Sequence, residues 1–424
     1  MTFTYLDDVL NEVEELGRLF ADAGYRLFLV GGIVRDQWLD EPLIASSDID
    51  LTTDALPAEI KRIVAPFAED LWTQGEKFGT IGLRSSGRDF EITTHRAETY
   101  TSDSRKPIVS FGDVIDVDLS RRDFTVNAMA IELPDGDLVD PYGGAHDLSA
   151  RLLRTPLSAD VSFTDDPLRM LRAARFATKF SLVPDEELID SATRLHTRLR
   201  IVAIERIGVE LRRLLSLEAA NIGLRFLADT GSLAEVLSYG QPALIDVVNP
   251  ALDAAIDVAN RLPADWHQRL AAIGISVFTT VDGVQAMCDR LRLARDDERR
   301  IVRMSRSAIE VLQAMTVDDE TVRRWVDGCE DRSSALSLAA VFADDPSWVA
   351  AFDDAVHDLI DREDPGAVTF LGGETIMSVL DMPPGPAIGH AQKFLKDCYF
   401  AHGPLDADDQ QARLASWWAD HPTA

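Results

Sequence analysis

Two aspartates, Asp48 and Asp50, stand one residue apart in SSDIDLTT. The alternation reads as a strand, with Ile49 and Leu51 on one face and both aspartates on the other. Two carboxylates held side by side repel, so their site needs a partner charge. A hard divalent cation supplies it, and Mg²⁺ characteristically binds through carboxylates plus substrate phosphates. The chemistry this points to is two-metal phosphoryl or nucleotidyl transfer; the plainer alternative is a solvated strand face carrying two acids. Glu91, in the predicted strand RDFEITT, adds a third carboxylate, with Phe90 and Ile92 facing the other way. It would complete a metal cage or act as a base toward an attacking hydroxyl, or it is one more exposed strand acid.

Upstream, RLFLVGG reads as a short apolar strand ending in Gly31 and Gly32, and IVRDQWL as the helix it enters. Bare backbone amides at such a turn favour phosphate. Arg35, one turn into the helix, can donate to the same anion. By itself the pattern is equally an ordinary strand-to-helix turn that needs glycine.

These residues need a scaffold, and the first 140 residues alternate strand and helix signals. A helix is predicted over about residues 5–23. TIGLR and RDFEITT form a predicted hairpin turned at SSG, and residues 128–133 and 138–139 flank a PDG turn. From about Ser158 the character changes. DDPLRMLRAARFATKF, IVAIERIGVELRRLLS and AANIGLRFLADTGSL read as amphipathic helices, and strand signals nearly vanish. The layout is an α/β head followed by a helical remainder, punctuated at PDE, YGQPA, EDPGA and MPPGP.

Composition constrains the partners. The 424 residues carry a net charge of −30, which sits badly with nucleic-acid binding in general. Residues 121–213, however, hold 14 Lys and Arg against 15 Asp and Glu, so a local RNA surface on an acidic body is permitted. Cys288, Cys329 and Cys398 are too few and too scattered for a disulfide framework or a zinc site. No apolar run approaches a membrane span, and the acidic, amphipathic N-terminus lacks a signal-peptide layout, so the cytoplasm is the default expectation.

LVGGIVRD, DIDLTT, FGTIGL, EITTHRAETY, RRDFTVNAMAI, DPYGGAHDL and DDPLRMLRAARFA occur in this order. The set resembles the class II CCA-adding tRNA nucleotidyltransferases, a family shared with bacterial poly(A) polymerase. It is dense over about the first 215 residues, with a thinner echo in LGGETIMSVLDMPPGPAIGHAQKFL. The resemblance implies a nucleotidyltransferase head over 1–145 with a mixed, mainly antiparallel sheet. A helical neck over 146–215, a body over 216–320 and a tRNA-binding tail over 321–424 would follow. It assigns Gly31, Gly32 and Arg35 to the triphosphate, Asp48 and Asp50 to two Mg²⁺ ions, and Glu91 to the third carboxylate. Arg122, Asp123 and Asn127 of RRDFTVNA would contact the nucleotide, Asn127 at the sugar. Residues 96–107 correspond to a flexible loop used in switching from CTP to ATP.

The resemblance also makes Asp166 and Arg169 the selectors of the base, and the hydrogen-bond inventory shows how. Cytosine and adenine each offer an amine donor beside a ring-nitrogen acceptor; a carboxylate only accepts and a guanidinium only donates. Uracil and guanine reverse both signs. On one helix the two would be neighbours at i and i+3, which also fits a plain salt bridge, and Asp166 before Pro167 fits a plain N-cap. Arg172 and Arg175 continue the stripe toward phosphate or base, or are structural arginines. The implied activity is addition of C, C and A to tRNA 3′ ends from CTP and ATP, with release of pyrophosphate. The tRNA acceptor and TΨC arms would be gripped by shape, without an obligatory protein partner. CC-only, A-only and poly(A) enzymes share every head motif, and a non-catalytic RNA-binding scaffold is the rival of another class.

The chain departs from the family in three places. The usual Leu-Gly-Arg after the first motif helix is Leu39-Asp40-Glu41-Pro42, and the base-selecting motif begins Asp165-Asp166 rather than Glu-Asp. The middle region, about residues 246–320, is short. Neither His267 nor the His357-Asp358 pair has the companions of a phosphohydrolase metal site, so no such activity is expected. Farther on, Arg292, Arg295, Arg299, Arg303 and Arg306 fall on one face of a predicted helix, either facing RNA or paired with Asp296, Asp297 and Glu298. Trp417 and Trp418 are expected as packing anchors.

Overall fold

A computed structural model describes residues 6–39, 48–101, 104–111 and 114–420. The chain forms two compact units, Met1–Asn249 and Pro250–Ala424. The division falls inside the stretch expected as a helical body.

The first unit is built on β1 (Leu27–Val30), β2 (Ile49–Thr53), β3 (Asp70–Trp72), β4 (Thr80–Ser85), β5 (Arg88–Thr94), β6 (Arg96–Thr101), β7 (Ser104–Phe111), β8 (Ala130–Leu133) and β9 (Asp137–Val139). Seven strands form one sheet in the order β3-β4-β5-β2-β1-β8-β9. Only β2 and β5 run parallel; the other neighbours are antiparallel. This is the mixed, mainly antiparallel head that was expected. Every residue of β1 is buried, as a central strand covered on both faces requires. β2 is two-sided, with Ile49 and Leu51 in the core and Asp50 exposed. The amphipathic helix α1 (Leu6–Asp22) buries Val13, Leu16 and Phe20 at helical spacing.

The segment expected as a loop over 96–107 is instead a ribbon. β6 pairs antiparallel with β7, from Arg96 opposite Phe111 to Thr101 opposite Ser104. Its polar composition did not reveal the β-branched residues that favour pairing. Residues 40–47, which carry most of the Leu39-Asp40-Glu41-Pro42 departure, lie outside the described residues.

Helices α2 (Gly32–Trp38), α3 (Pro57–Val64), α4 (Ile115–Ser120) and α5 (Gly144–Ala150) accompany the sheet. They are followed by α6 (Ala159–Asp165), α7 (Arg169–Phe180), α8 (Glu186–Leu195), α9 (Ile204–Leu215), α10 (Ala220–Asp229) and α11 (Ser232–Leu237). The expected single helix over DDPLRMLRAARFATKF is broken. Asp166 is extended, at φ −135° and ψ 97°, between α6 and α7. Pro167 explains the break, because it disfavours the helical region for the residue before it. Asp166 and Arg169 are therefore not on one helix.

The second unit is helical from Leu252–Asn260 to Ala407–Asp420 among the described residues. Helix Arg295–Gln313 carries the predicted arginine face, but Arg292 precedes it in a left-handed conformation, φ +48°. Arg299 pairs with Asp296, Arg300 with Asp265 and Asp331, and Arg303 with Glu330. Trp417 stacks on Phe394 with ring centroids 5.0 Å apart, and both Trp417 and Trp418 pack on the cluster of Ile376, Leu380, Ala391, Leu395 and Leu414. The three cysteines are buried free thiols. His357 bonds the carbonyl of Asp353 on an exposed helix face. No single helix among the described residues is long and apolar enough to cross a membrane.

Candidate active site

The strand-to-helix turn after β1 is glycine by necessity. Gly31 lies at φ +81° and ψ −142°, a region open essentially to glycine alone. A Cβ there would stand 3.6 Å from Asp50 Oδ2 and 3.5 Å from Arg122 Nη1. The turn, the strand aspartate and the distant arginine thus meet at one point.

That point opens into a cavity of about 670 Å³. Of the residues expected from sequence, Gly31, Gly32, Arg35, Asp50, Arg122, Asp123, Asn127, Asp166, Arg169 and Arg172 line it. Asp48 and Glu91 do not line it but flank Asp50: Asp48 precedes β2, and Glu91 sits opposite Asp50 in the parallel pairing. Arg175 lies behind the wall, with Nε 2.6 Å from Glu210 Oε2. Sequence reasoning missed Arg121, Leu168, Phe176, Arg206, Val209 and Glu210 as lining residues. Arg206, Val209 and Glu210 sit on α9, whose amphipathic pattern gave no chemical spacing to find them by.

A polar relay fixes one wall. Arg35 is buried, donates to Asn127 Oδ1 at 2.5 Å and to Asp36 Oδ1, and lies over the ring of Phe180 at 4.2 Å. Asn127 donates to Asp123 Oδ1 at 2.8 Å, and Arg172 donates through Nε and Nη2 to Asp123 Oδ2 at 2.8 and 2.5 Å. Arg172 also meets Glu210. Burial alone would raise the Asp123 carboxyl, but Arg172 and Asn127 outweigh it and hold the group below its ordinary value. In this state Arg172 is committed to carboxylates, as is Arg175.

The arginines that follow α4 include one spare donor. Buried Asp118 holds both Arg121, at 2.7 Å, and Arg122, at 3.3 Å. The Nε of Arg122 is buried with no hydrogen-bond partner. An unpartnered buried donor of positive charge is costly, and an anion in the cavity would relieve it.

Asp166 and Arg169, expected from the sequence to select the base, are held apart from each other. Asp166 Oδ1 accepts from the backbone N–H of Leu168 at 3.2 Å, and Oδ2 accepts from Arg206 Nη2 at 2.8 Å. Arg169 donates to Ser162 Oγ at 2.7 Å and to the carbonyl of Arg121. The simple Asp166–Arg169 salt bridge is not formed. A carboxylate oxygen has a second lone pair, and a guanidinium has more donors than these two bonds use, so both can still meet a ligand.

Asp50 is where the charge is unbalanced. Its carboxyl is crowded although the residue is solvent-accessible. Burial holds it above its ordinary value; Arg122 pulls the other way, and Glu91 and Asp48 add repulsion. No three His, Cys, Asp or Glu side chains among the described residues form a ready-made ion cage. A carboxylate short of positive charge beside a second aspartate fits Mg²⁺, which takes the rest of its shell from water and substrate phosphates.

Residues 27–154 match the poly A polymerase head domain. A CCA-adding enzyme of Latilactobacillus sakei is 39% identical over 210 residues, 49% of this chain and 51% of that protein. One of Limosilactobacillus fermentum is 38% identical over 223 residues, 52% of each. The chain thus spans about half the length of the curated relatives it matches. Among solved structures, the Bacillus stearothermophilus CCA-adding enzyme in complex with CTP has a TM-score of 0.72 at 22% identity, covering 97% of this chain and 98% of that one. The Thermotoga maritima CCA-adding enzyme complexed with tRNA has a TM-score of 0.65 at 22% identity, covering 97% and 95%. At these identities the likeness is one of fold. The match to the poly A polymerase head domain covers residues 27–154, and the glycine turn and the paired aspartates lie inside it.

Proposed function

We propose that this protein is a template-independent nucleotidyltransferase that adds C, C and A to tRNA 3′ ends from CTP and ATP, releasing pyrophosphate. The observation that carries the reading is one cavity in which Asp50, an unpartnered Arg122 Nε and the pair Asp166 and Arg169 converge. Phosphate chemistry and base recognition are thereby joined in one site. The names of the relatives and fold neighbours support the same reading.

Each residue has a task in it. The turn at Gly31 and Gly32, with Arg122, receives the triphosphate. Asn127 would contact the sugar, with Arg35 fixing its amide. Asp166 accepts from the exocyclic amine of C or A, while Arg169 donates to the ring nitrogen beside it. Uracil and guanine would face a like group at both positions, and such mismatches in a buried site reject strongly. Asp123, Arg172 and Glu210 hold the wall and keep the helix α7 in register with the head. Asp48 and Asp50 would hold two Mg²⁺ ions, which when bound supply an activated 3′ hydroxyl and neutralise the charge on the leaving pyrophosphate. Glu91, beside Asp50, steadies that charge or accepts the hydroxyl proton. With a tRNA substrate, the cytoplasm is the matching compartment.

The test uses three tRNA transcripts, ending before CCA, after C and after CC, with CTP and ATP supplied singly and together with Mg²⁺. Growth of all three to one CCA end, and no further, is the expected result. Stalling at CC, addition of A alone or a long A tail would replace the reading with one of its near rivals. Silence on all three would leave a non-catalytic scaffold.

A further inference from the structure

Strand register ties Asp50 to a residue that the nucleotide cavity does not contain. Asp50 on β2 is opposite Glu91 on β5, Glu91 is opposite Gly82 on β4, and Gly82 is opposite Trp72 on β3. Residues in register share a face of the sheet, so these four form a row on the side that carries the carboxylates. Gly82 has no side chain, and the indole of Trp72 fills the gap. A Cβ at position 82 would lie 1.9 Å from Trp72 Nε1 and 2.1 Å from Cε2. The indole thus covers Gly82, next to Glu91, and it is only half-buried. Two strand spacings, roughly 10 Å, separate Gly82's strand from that of Asp50.

The chemistry of nucleotidyl transfer decides what comes there. The attacking and leaving oxygens lie in line on opposite sides of the reacting phosphorus. The cavity with Gly31, Gly32 and Arg122 opens on the β1 side of Asp50. With the triphosphate there, the acceptor strand approaches from the β5 side, over Glu91 and Gly82, where the indole lies. The acceptor end also changes during the reaction: the terminal base is replaced after every addition. A hydrogen-bonding subsite tuned to one base would reject the next, whereas an aromatic face accepts any base by stacking. The turn after β3 adds an exposed Lys77, with Nζ 4.9 Å from the ring of the half-exposed Phe78, as a cation for the strand's phosphates.

We propose that Trp72 is the platform on which the terminal base of the acceptor RNA stacks, and that Gly82 is glycine to admit the indole. The proposal rests on the nucleotidyltransferase reading above. Its test is kinetic and spectroscopic, on the full chain. Trp72→Ala should raise the KM for the tRNA acceptor about 5- to 100-fold, the range of one lost base stack, and leave the KM for CTP unchanged. Trp72→Phe should recover most of the loss. Gly82→Ala should act in the same direction, and the double variant should be no worse than the worse single one, because both act through one indole. A transcript ending in 2-aminopurine should lose fluorescence on binding the wild-type protein and keep it on binding Trp72→Ala. An unchanged acceptor KM in Trp72→Ala, or an equal rise in the KM for CTP, would overturn the platform while leaving the reaction intact. A wild-type protein that elongates no RNA would overturn the reaction and the platform together.

Discussion

Asp166 and Arg206, 40 residues apart in sequence, meet through a 2.8 Å hydrogen bond from Arg206 Nη2 to Asp166 Oδ2. The residue assigned to reading the base is thus steadied by α9, while its own backbone is extended ahead of Pro167. Replacing Asp166 by Asn turns an obligate acceptor into a group that can also donate. CTP and UTP would then be distinguished less well, by at least about tenfold in the ratio of incorporation. Arg206→Ala should erode the same ratio by less, since it loosens the carboxylate without removing it. Both variants should fold, because Arg206 is exposed and the partly exposed pair it makes with Asp166 adds little stability. A competition assay with both nucleotides measures the ratio, and an unchanged value in Asp166→Asn would remove Asp166 from base reading.

Gly31 makes a separate claim on the backbone. Its φ of +81° with ψ of −142° costs a residue with a side chain about 1–3 kcal/mol. The added Cβ would also come within 3.6 Å of Asp50 Oδ2 and 3.5 Å of Arg122 Nη1. Gly31→Ala should therefore lower the unfolding free energy by that amount and reduce incorporation far more than the stability loss explains. Denaturant melts and incorporation rates at a temperature where both proteins are folded separate the two effects. Wild-type activity in a folded Gly31→Ala protein would show that the turn does not touch the substrate.

The pair Asp123–Arg172 should be visible in the pH dependence of stability. The folded-state pKa of Asp123 lies below its ordinary value of 3.8. Its ionised form therefore contributes stability in full above the unfolded value, and the contribution is lost as pH falls through the lower folded one. Asp123→Asn should be destabilised at pH 7 by up to about 3 kcal/mol, less than for a fully orphaned buried charge because Arg172 keeps Glu210. The gap to wild type should narrow below about pH 4. Thermal melts across that range test it, and a gap independent of pH would mean that packing, not charge, holds this wall.

Much of the head was legible because its signals are local. The strand at Ile49–Thr53 announces its two faces by alternation, and the hairpin of β4 and β5 announces its turn. The glycine turn and the paired aspartates could be assigned a chemistry from residue type alone. What was not legible depends on contacts distant in sequence. Arg206 and Glu210 look like any charged positions on an amphipathic helix until α9 is set against α7. Arg172 and Arg175 looked free to reach a ligand, because nothing in the stripe announces that Asp123 and Glu210 will occupy them. The ribbon of β6 and β7 hid behind polar composition, and the break at Asp166 was available from Pro167 but was overridden by the helical pattern around it.

Asp50 shows a conflict between stability and function that can be measured. Its folded-state pKa is raised, with burial the first cause. The folded protein therefore binds this proton more tightly than the unfolded chain does, and stability falls as pH rises from the unfolded value through the folded one. Asp50→Asn removes that penalty, so the apo variant should melt at a higher temperature than wild type at pH 7, with the difference shrinking in acid. Mg²⁺ together with CTP should reverse the order. The wild-type carboxylate gains the cation it lacks, and a ligand that binds only the folded state stabilises it by mass action, whereas the amide of the Asp50→Asn variant would gain far less. The same substitution should abolish incorporation. If Mg²⁺ and CTP raise the melting temperature of both proteins equally, Asp50 is not the residue that the metal requires.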